Sequence, residues 1–277
     1  MERRDFLGTA GALALGAMLP PACRTAHGAR LDKIGIQLYT VRDQMKADFE
    51  GTLARIAQIG YKEVEFAGYF DRTPADVRAI LDRLGLAAPA THMMAPNADG
   101  WRKALDTAKA VGHEYVVAPW IPEDRRMTLD GWKRVADEFN RVGQMARDTG
   151  LQFAYHNHDF EFPKMEGQIP YDVLLQNTDP RLVQLEIDLY WITRGGQDPL
   201  TYFARWPGRI PLVHVKDSMG GPEHKMVDVG QGKIDWKRIF AKRDQAGIRH
   251  FFVEHDQPPQ PFEDIAMSYN YLKNLEF

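Results

Sequence analysis

The run Leu182–Asp188, LVQLEID, is a short strand-like stretch of branched apolar residues that ends on an acidic side chain. Three more strand-like runs in the second half of the chain carry a metal-binding type of side chain at or just past their ends. The four residues concerned are Glu161 after LQFAYHNHDF, Asp188 in LVQLEID, His214 in IPLVHVKD and Glu254 in HFFVEHD. Three carboxylates and one imidazole form a mixed oxygen and nitrogen ligand set that suits a divalent metal ion. A barrel of parallel strands would bring the four to one rim, because the carboxyl ends of its strands meet there.

The rest of the chain from Leu31 onward alternates β-rich runs with helix-patterned stretches. Eight such alternations predict an α/β fold, a single (β/α)8 TIM barrel spanning residues 29–277. An open doubly wound sheet is the alternative, but no Gly-x-Gly-x-x-Gly follows the first predicted strand. The predicted strands are Lys33–Tyr39, Lys62–Phe66, Ala87–Met93, Tyr115–Pro119, Gln152–Asn157, Val183–Asp188, Ile210–Lys216 and His250–Glu254.

Composition limits the classes of function. The chain has 277 residues, 44% of them hydrophobic and 26% charged, which are ordinary values for a globular protein. A formal net charge of −3 gives no electrostatic reason to expect a nucleic-acid partner. A single cysteine excludes an internal disulfide framework and a cysteine-rich metal site.

The N-terminal stretch has a different composition from the rest. Met1–Leu19, MERRDFLGTAGALALGAML, places Arg3 and Arg4 before a short apolar stretch diluted by glycine and alanine. This arrangement resembles a twin-arginine export signal, so we expect residues 1–28 to be a signal peptide and the protein to be periplasmic, with the twin-arginine export machinery as a partner. Cys23 follows at once, and it is either a lipoprotein attachment site or a residue without a role near the cleavage point.

Four motifs extend the interpretation to a family. They are Tyr155-His156-Asn157-His158, Glu186-Ile187-Asp188-Leu189-Tyr190-Trp191, His214-Val215-Lys216-Asp217 and Asp228–Trp236, DVGQGKIDW. In this order and spacing they resemble the sugar phosphate isomerase/epimerase family, the xylose isomerase-like TIM barrels. The resemblance covers essentially all of Leu31–Phe277.

The resemblance implies one divalent ion held by Glu161, Asp188, His214 and Glu254, with Mn²⁺ first and Mg²⁺, Co²⁺ or Zn²⁺ as alternatives. His156 or His158 is an alternative ligand in place of Glu161. For an epimerase the resemblance implies that Glu161 and Glu254 flank the reacting carbon. For an elimination, His158 and Lys216 would carry the protons.

Other side chains are candidates for contacting a substrate or for positioning the ligands. His92, at the end of the third predicted strand, and Glu65, on the second, are candidate substrate contacts, although each is equally well explained as a satisfied buried polar group. Trp120 and Trp191 are expected at the rim, where an indole can stack on a sugar ring, or else in ordinary loop packing. His255 and Asp256 are expected to orient Glu254.

These features predict a metal-dependent enzyme that acts on a sugar or keto-sugar by isomerisation or epimerisation, through proton abstraction next to a carbonyl. A lyase or hydrolase of 3-keto-glycosides, using the same site, is the runner-up. A non-catalytic carbohydrate-binding barrel and a DNA-repair endonuclease related to endonuclease IV are further alternatives. Oligomer formation is possible and the sequence leaves it open.

Overall fold

A closed barrel of eight parallel strands forms the centre of the molecule in a computed structural model that describes residues 28–94 and 97–277. Neighbouring strands follow the order β1-β10-β7-β6-β5-β4-β3-β2, so the barrel closes by parallel pairing of β1 with β10. The barrel strands are β1 (Gly35–Gln37), β2 (Glu63–Phe66), β3 (Ala87–His92), β4 (Tyr115–Ala118), β5 (Gln152–His156), β6 (Val183–Asp188), β7 (Leu212–Val215) and β10 (His250–Val253). The short strands β8 (Asp217–Ser218) and β9 (Met226–Val227) pair antiparallel above β7.

Helices surround the barrel and begin and end at residues suited to those positions. The helix that follows β2 begins with Thr73 as its cap and proline at its first position, and ends at the left-handed Gly85. The helices are α1 (Arg42–Ala47), α2 (Phe49–Ile59), α3 (Pro74–Leu84), α4 (Ala98–Val111), α5 (Leu129–Thr149), α6 (Pro170–Gln176), α7 (Leu189–Arg194), α8 (Pro199–Arg205), α9 (Trp236–Phe240), α10 (Arg243–Ala246) and α11 (Pro261–Asn274). Two 3-10 turns lie at Leu38–Val41 and Glu123–Arg125.

The predicted (β/α)8 barrel is confirmed, and every predicted strand contains an observed one. The largest departure is in β1, where the backbone turns into a 3-10 helix at Leu38, so Tyr39 lies beyond the strand. Before β10 the chain forms two short helices, α9 and α10, separated by Ala241 and Lys242. Short helices such as α1 and α7 contain too few turns to give a periodic pattern in the sequence.

The predicted signal peptide lies almost wholly outside the described residues, as does Cys23, and both stay predictions. Across the part of the chain that the structure describes, no helix has the length and apolar character that a membrane span requires.

The hydrophobic core has two parts. The larger one fills the layer between the barrel strands and the helices, and the smaller one lies inside the barrel, where Tyr115, Leu212 and Phe252 are its bulkiest members. Side chains alternate between the two faces of a strand, so the residue two positions after an interior apolar residue also points inward. His214 follows Leu212 in this way, and Glu254 follows Phe252. The apolar interior therefore supports a polar layer directly above it.

A buried carboxylate organises the long connection after β7. Asp217 is almost fully buried and accepts hydrogen bonds from the backbone N–H groups of Gly230, Gly232 and Ile234 at 2.9–3.2 Å, and from the indole N–H of Trp236 at 3.0 Å. A Cβ added at Gly232 would lie 2.1 Å from the Asp217 carboxylate, so glycine is required there. The motif DVGQGKIDW is thus explained by loop structure.

Helix α5 packs against the chain just before β6 through a glycine. An added Cβ at Gly143 would lie 2.5 Å from the backbone carbonyl oxygen of Leu182, one residue before β6 begins. That oxygen cannot move without displacing the strand that carries Asp188.

We therefore predict that Gly143→Ala destabilises the protein by about 1–3 kcal/mol, the usual range for overpacking. This sign is opposite to that of an ordinary glycine-to-alanine change inside a helix, which stabilises by up to about 1 kcal/mol. Urea unfolding of the variant measures the difference, with the exposed Arg141→Ala on the same helix as control. A Gly143→Ala variant as stable as wild type would contradict the packing described.

Candidate metal centre

Four buried side chains meet at the carboxyl ends of β5, β6, β7 and β10. They are His156, Asp188, His214 and Glu254, here called the metal group, and one donor atom from each lies within 4.8 Å of all the others. All four are at most 6% exposed. Three of the four predicted ligands are thereby brought together, and the fourth member is His156, the alternative to Glu161.

The tautomer of His156 follows from its neighbours. Its Nδ1 lies 3.1 Å from the carbonyl oxygen of Pro119, and since a carbonyl can only accept, Nδ1 carries the hydrogen. Burial and the nearby His214 lower the pKa of His156, so the ring is neutral and Nε2 is a bare lone pair. That Nε2 lies 3.2 Å from the carboxylate oxygen Oδ2 of Asp188. Two acceptors then face each other with no proton between them, an arrangement that a cation would stabilise.

His214 has a similar unsatisfied contact. Its Nε2 lies 2.7 Å from Oε2 of Glu65 in a hydrogen bond, whereas its Nδ1 lies 2.7 Å from Oε2 of Glu254 without the alignment that a hydrogen bond requires. Both of the latter atoms are buried and make no hydrogen bond. A carboxylate that fixes one imidazole nitrogen while the other faces the metal is the usual arrangement around a metal-binding histidine. The residues of the metal group therefore fit a divalent cation.

The carboxylates around His214 favour its protonated form when no metal ion is bound. Burial alone would lower the pKa of His214, but the carboxylates of Glu186 and Glu254 outweigh it and raise the pKa well above its ordinary value. Because metal ligands must be deprotonated, binding of a cation to Nδ1 would release this proton.

Lys216 extends the site toward solvent. Its Nζ lies 2.7 Å from Glu254, 2.8 Å from Asp256 and 3.1 Å from Asp188, and it is almost fully buried. Burial would lower the pKa of the ammonium, yet Asp188 and Glu254 raise it well above the ordinary value. Lys216 is therefore charged, which suits a proton donor or an oxyanion contact and not a proton acceptor.

A neighbouring group shares His214 with the metal group. It consists of Glu65, His92, Glu186 and His214, whose donor atoms also lie within 4.8 Å of one another. His92 Nε2 lies 2.7 Å from Glu186, and Gln37 donates to Glu65 at 2.9 Å. Burial and the adjacent Glu186 raise the pKa of Glu65 to about 7. Hydrogen bonds therefore satisfy a polar atom of every residue in this group, and its two glutamates hold the imidazoles in place.

The structure places Glu161 outside both groups, which corrects the ligand set expected for it. Glu161 is fully buried behind β5, where it accepts a hydrogen bond from the Tyr155 hydroxyl at 2.6 Å and another from the backbone N–H of His158 at 3.0 Å. Burial raises the pKa of Glu161 to about 7. Its carboxylate anchors the loop after β5 and does not face Glu254 across a substrate.

A cleft of about 560 Å³ opens above the metal group. His92, Trp120, His158 and Lys216 line it, as expected of substrate contacts, together with Glu254. Burial and the neighbouring His156 lower the pKa of His158, so its imidazole is neutral.

Trp191 and Glu65 do not line the cleft. The indole of Trp191 lies behind His158, with ring centroids 5.5 Å apart, and Glu65 is fully buried. The position of each therefore suits support of the site better than contact with a substrate.

Sequence reasoning gave no role in the site to Glu186, although its motif was recognised. Glu186 stands two residues before Asp188 on β6, so strand alternation would have placed both on the interior face. Asp256, expected only to orient Glu254, contributes a wall of the cleft.

Comparison with known proteins identifies relatives that share the fold of this chain. The chain is 28% identical over 265 residues to an inosose dehydratase of Lacticaseibacillus casei, covering 81% of this chain and 88% of the relative. A solved sugar phosphate isomerase/epimerase of Parabacteroides distasonis is 27% identical with a TM-score of 0.78, covering 94% of this chain and 98% of that one. The IolI protein, solved with a zinc atom, shares the fold at 17% identity and a TM-score of 0.69, over 86% of this chain and 95% of that one.

A protein-family model also matches most of the chain. The model of the xylose isomerase-like TIM barrel family matches residues 53–275, which include every residue of the metal group. This chain belongs to the xylose isomerase-like TIM barrel family.

Proposed function

We propose that this protein is a divalent-metal-dependent lyase that removes a proton next to the carbonyl of a keto-sugar or cyclic keto-polyol and expels a group from the adjacent carbon. The observation that carries the proposal is a pair of incompletely satisfied buried contacts. His156 Nε2 faces the Asp188 carboxylate at 3.2 Å with no proton between them, and His214 Nδ1 lies 2.7 Å from Glu254 Oε2 without a hydrogen bond. The inosose dehydratase relatives support the lyase class, since dehydration is such an elimination.

The metal group would hold the ion through two imidazoles and two carboxylates. When bound, a divalent cation supplies Lewis-acid stabilisation of the negative charge that develops on the substrate oxygens. His156 in place of a glutamate raises the nitrogen content of the ligand set, which disfavours Mg²⁺ and suits Zn²⁺ or Co²⁺, while the two carboxylates suit Mn²⁺.

The position of Glu161 favours elimination over epimerisation. An epimerase must exchange protons on both faces of one carbon, and the pair expected for that work was Glu161 and Glu254. Since Glu161 is occupied by Tyr155 and the His158 backbone behind the strand, only one of the two carboxylates borders the cleft. An elimination needs one proton acceptor and one proton donor, which the cleft provides.

His158 and Lys216 fit these two roles. The neutral imidazole of His158 would take the proton from the carbon next to the carbonyl, and the electron pair of that C–H bond would form the new double bond. The bond to the leaving oxygen would break, and the Lys216 ammonium would give that oxygen a proton, so that it departs as water or as an alcohol. Asp256 holds the lysine in position at 2.8 Å.

Isomerisation or epimerisation of a sugar is the second candidate, favoured by the likeness to the Parabacteroides distasonis isomerase/epimerase over 94% of this chain. The 3-keto-glycoside lyase anticipated as an alternative is an elimination of the proposed type in which the leaving group is the aglycone. The export signal expected at residues 1–28 would place this activity in the periplasm, and fractionation of producing cells tests that location.

Metal content separates the corrected ligand set from the one first expected. We predict about one Mn²⁺ per wild-type chain after loading. Glu254→Gln and His156→Ala should each lower the affinity for Mn²⁺ by more than roughly 10–100-fold, which is the usual cost of losing a residue that only supports a ligand. Glu161→Gln is the matched control, because it makes the same change at another buried glutamate, and it should keep its metal. Elemental analysis after dialysis measures the result. Retention in His156→Ala with loss in Glu161→Gln would restore the original assignment.

Product analysis in D₂O distinguishes elimination from epimerisation. With Mn²⁺ and an inosose as substrate, we predict loss of water and no accumulation of an epimer labelled at the carbon next to the carbonyl, as followed by NMR. His158→Asn should lower kcat by about 10²–10⁴-fold, the usual contribution of a general base. His224→Asn, outside the cleft, should leave kcat unchanged. A deuterated epimer as the main product from inosose or a free ketose would favour the second candidate.

The buried carboxylate of Glu161 should make stability depend on pH. Its pKa rises from 4.5 when exposed to about 7 in the fold, so its stabilising contribution is full below pH 4.5 and is lost as the pH rises through 7. We predict that Glu161→Gln gains stability relative to wild type by about 3 kcal/mol between pH 4.5 and pH 8. Urea unfolding of both proteins at the two pH values measures this. A difference independent of pH would mean that Glu161 does not titrate as described.

A further inference from the structure

The cleft above the metal group has two unlike walls. Loops after β1 to β4 contribute mostly apolar side chains, and loops after β5 to β10 contribute the polar and charged ones. The apolar wall consists of Tyr39, Ala67, Met93, Met94, Pro119 and Trp120. Because β1 to β4 are neighbours in the barrel, these residues all lie on one half of the mouth.

The large members of the apolar wall are unusually exposed. Tyr39 is 44% exposed, Met94 46% and Trp120 46%, and each comes from a different loop. Apolar groups in water are unfavourable, and a cluster of them rimmed by polar residues is typical of a ligand-binding groove. A single sugar ring can stack on one of these rings but is too small to cover all three side chains.

Two polar side chains interrupt this half of the cleft, and both are already paired. Arg42 donates to the backbone carbonyls of Tyr39 and Asp256 at 2.8 and 3.0 Å, with its guanidinium 4.3 Å from the centre of the Tyr39 ring. His92 is bonded to Glu186 below. Protein groups therefore hold both side chains in place.

The size of the cleft agrees with a substrate larger than one sugar. The cleft volume of about 560 Å³ lies within the range of roughly 300–1,000 Å³ found for sites that enclose drug-sized ligands. A single hexose is smaller than such a ligand. Indole and phenol rings stack on flat aromatic groups, and thioether sulfurs contact aromatic rings favourably.

We propose that the apolar wall is a subsite for a planar aromatic aglycone, so that the substrate is an aryl glycoside of a keto-sugar whose sugar ring lies on the polar wall. The proposal rests on the proposed function for the placement of the sugar. It makes the aglycone the group that an elimination would release, and it assigns Trp120, Tyr39 and Met94 to substrate selection.

Binding without turnover tests the subsite. Titration calorimetry on the Mn²⁺-loaded protein would compare phenyl with methyl D-glucopyranoside, using both anomers of each. We predict a preference for phenyl of at least about tenfold in Kd, as expected for burial of much of an aromatic ring. Trp120→Ala should bring the phenyl-to-methyl ratio close to one while Mn²⁺ binds as in wild type.

A matched pair of methionine variants controls for general effects. Met94→Ala should reduce the phenyl preference, whereas Met267→Ala, which removes a side chain 43% exposed on α11 and away from the cleft, should not. Equal affinity for the two glycosides, or no binding of either, overturns the subsite. Failure of the proposed function is seen separately, as absence of the metal or of elimination with an unsubstituted inosose.

Discussion

The site depends on one imidazole held between two sets of carboxylates. His214 lies on β7 with Nε2 against Glu65 and Nδ1 against Glu254, both at 2.7 Å. Glu65 is on β2 and Glu254 directly follows β10, the two strands that flank β1, and 149 positions separate Glu65 from His214 in the chain. Only closure of the barrel by β1 and β10 brings these groups within reach of one ring. The fold therefore fixes which nitrogen of His214 is available to a cation.

This arrangement collects buried negative charge that the protein must compensate. Asp188 and Glu254 contact the ammonium of Lys216, while Glu65 and Glu186 are held by imidazoles. Burying an ionised carboxylate costs free energy of folding unless a positive group is paired with it. Here many of the neighbours are other carboxylates, or imidazoles that become positive only when they bind a proton. A divalent ion in the metal group would supply the missing positive charge. Metal binding and stability of the folded barrel are therefore expected to be linked.

Much of the fold and part of the site could be predicted from the sequence, because both depend on short-range patterns. Strand runs such as Val183–Asp188 gave the correct barrel, and Asp188, His214 and Glu254 lie at the strand ends where they were expected. The prediction that Glu161 is a ligand was wrong because this residue belongs to a loop. The direction of its side chain depends on contacts with Tyr155 and the backbone, which no sequence periodicity encodes. The two unlike walls of the cleft also depend on loop geometry, so the sequence did not indicate them.

The central claim is that one divalent ion is bound by His156, Asp188, His214 and Glu254. Anomalous diffraction at the manganese absorption edge, from crystals of the Mn²⁺-loaded protein, tests it most directly. The account predicts one strong peak within bonding distance of His156 Nε2 and His214 Nδ1, with Glu161 still bonded to Tyr155. A peak that lies against the Glu161 carboxylate, or the absence of any peak near His214, would contradict it.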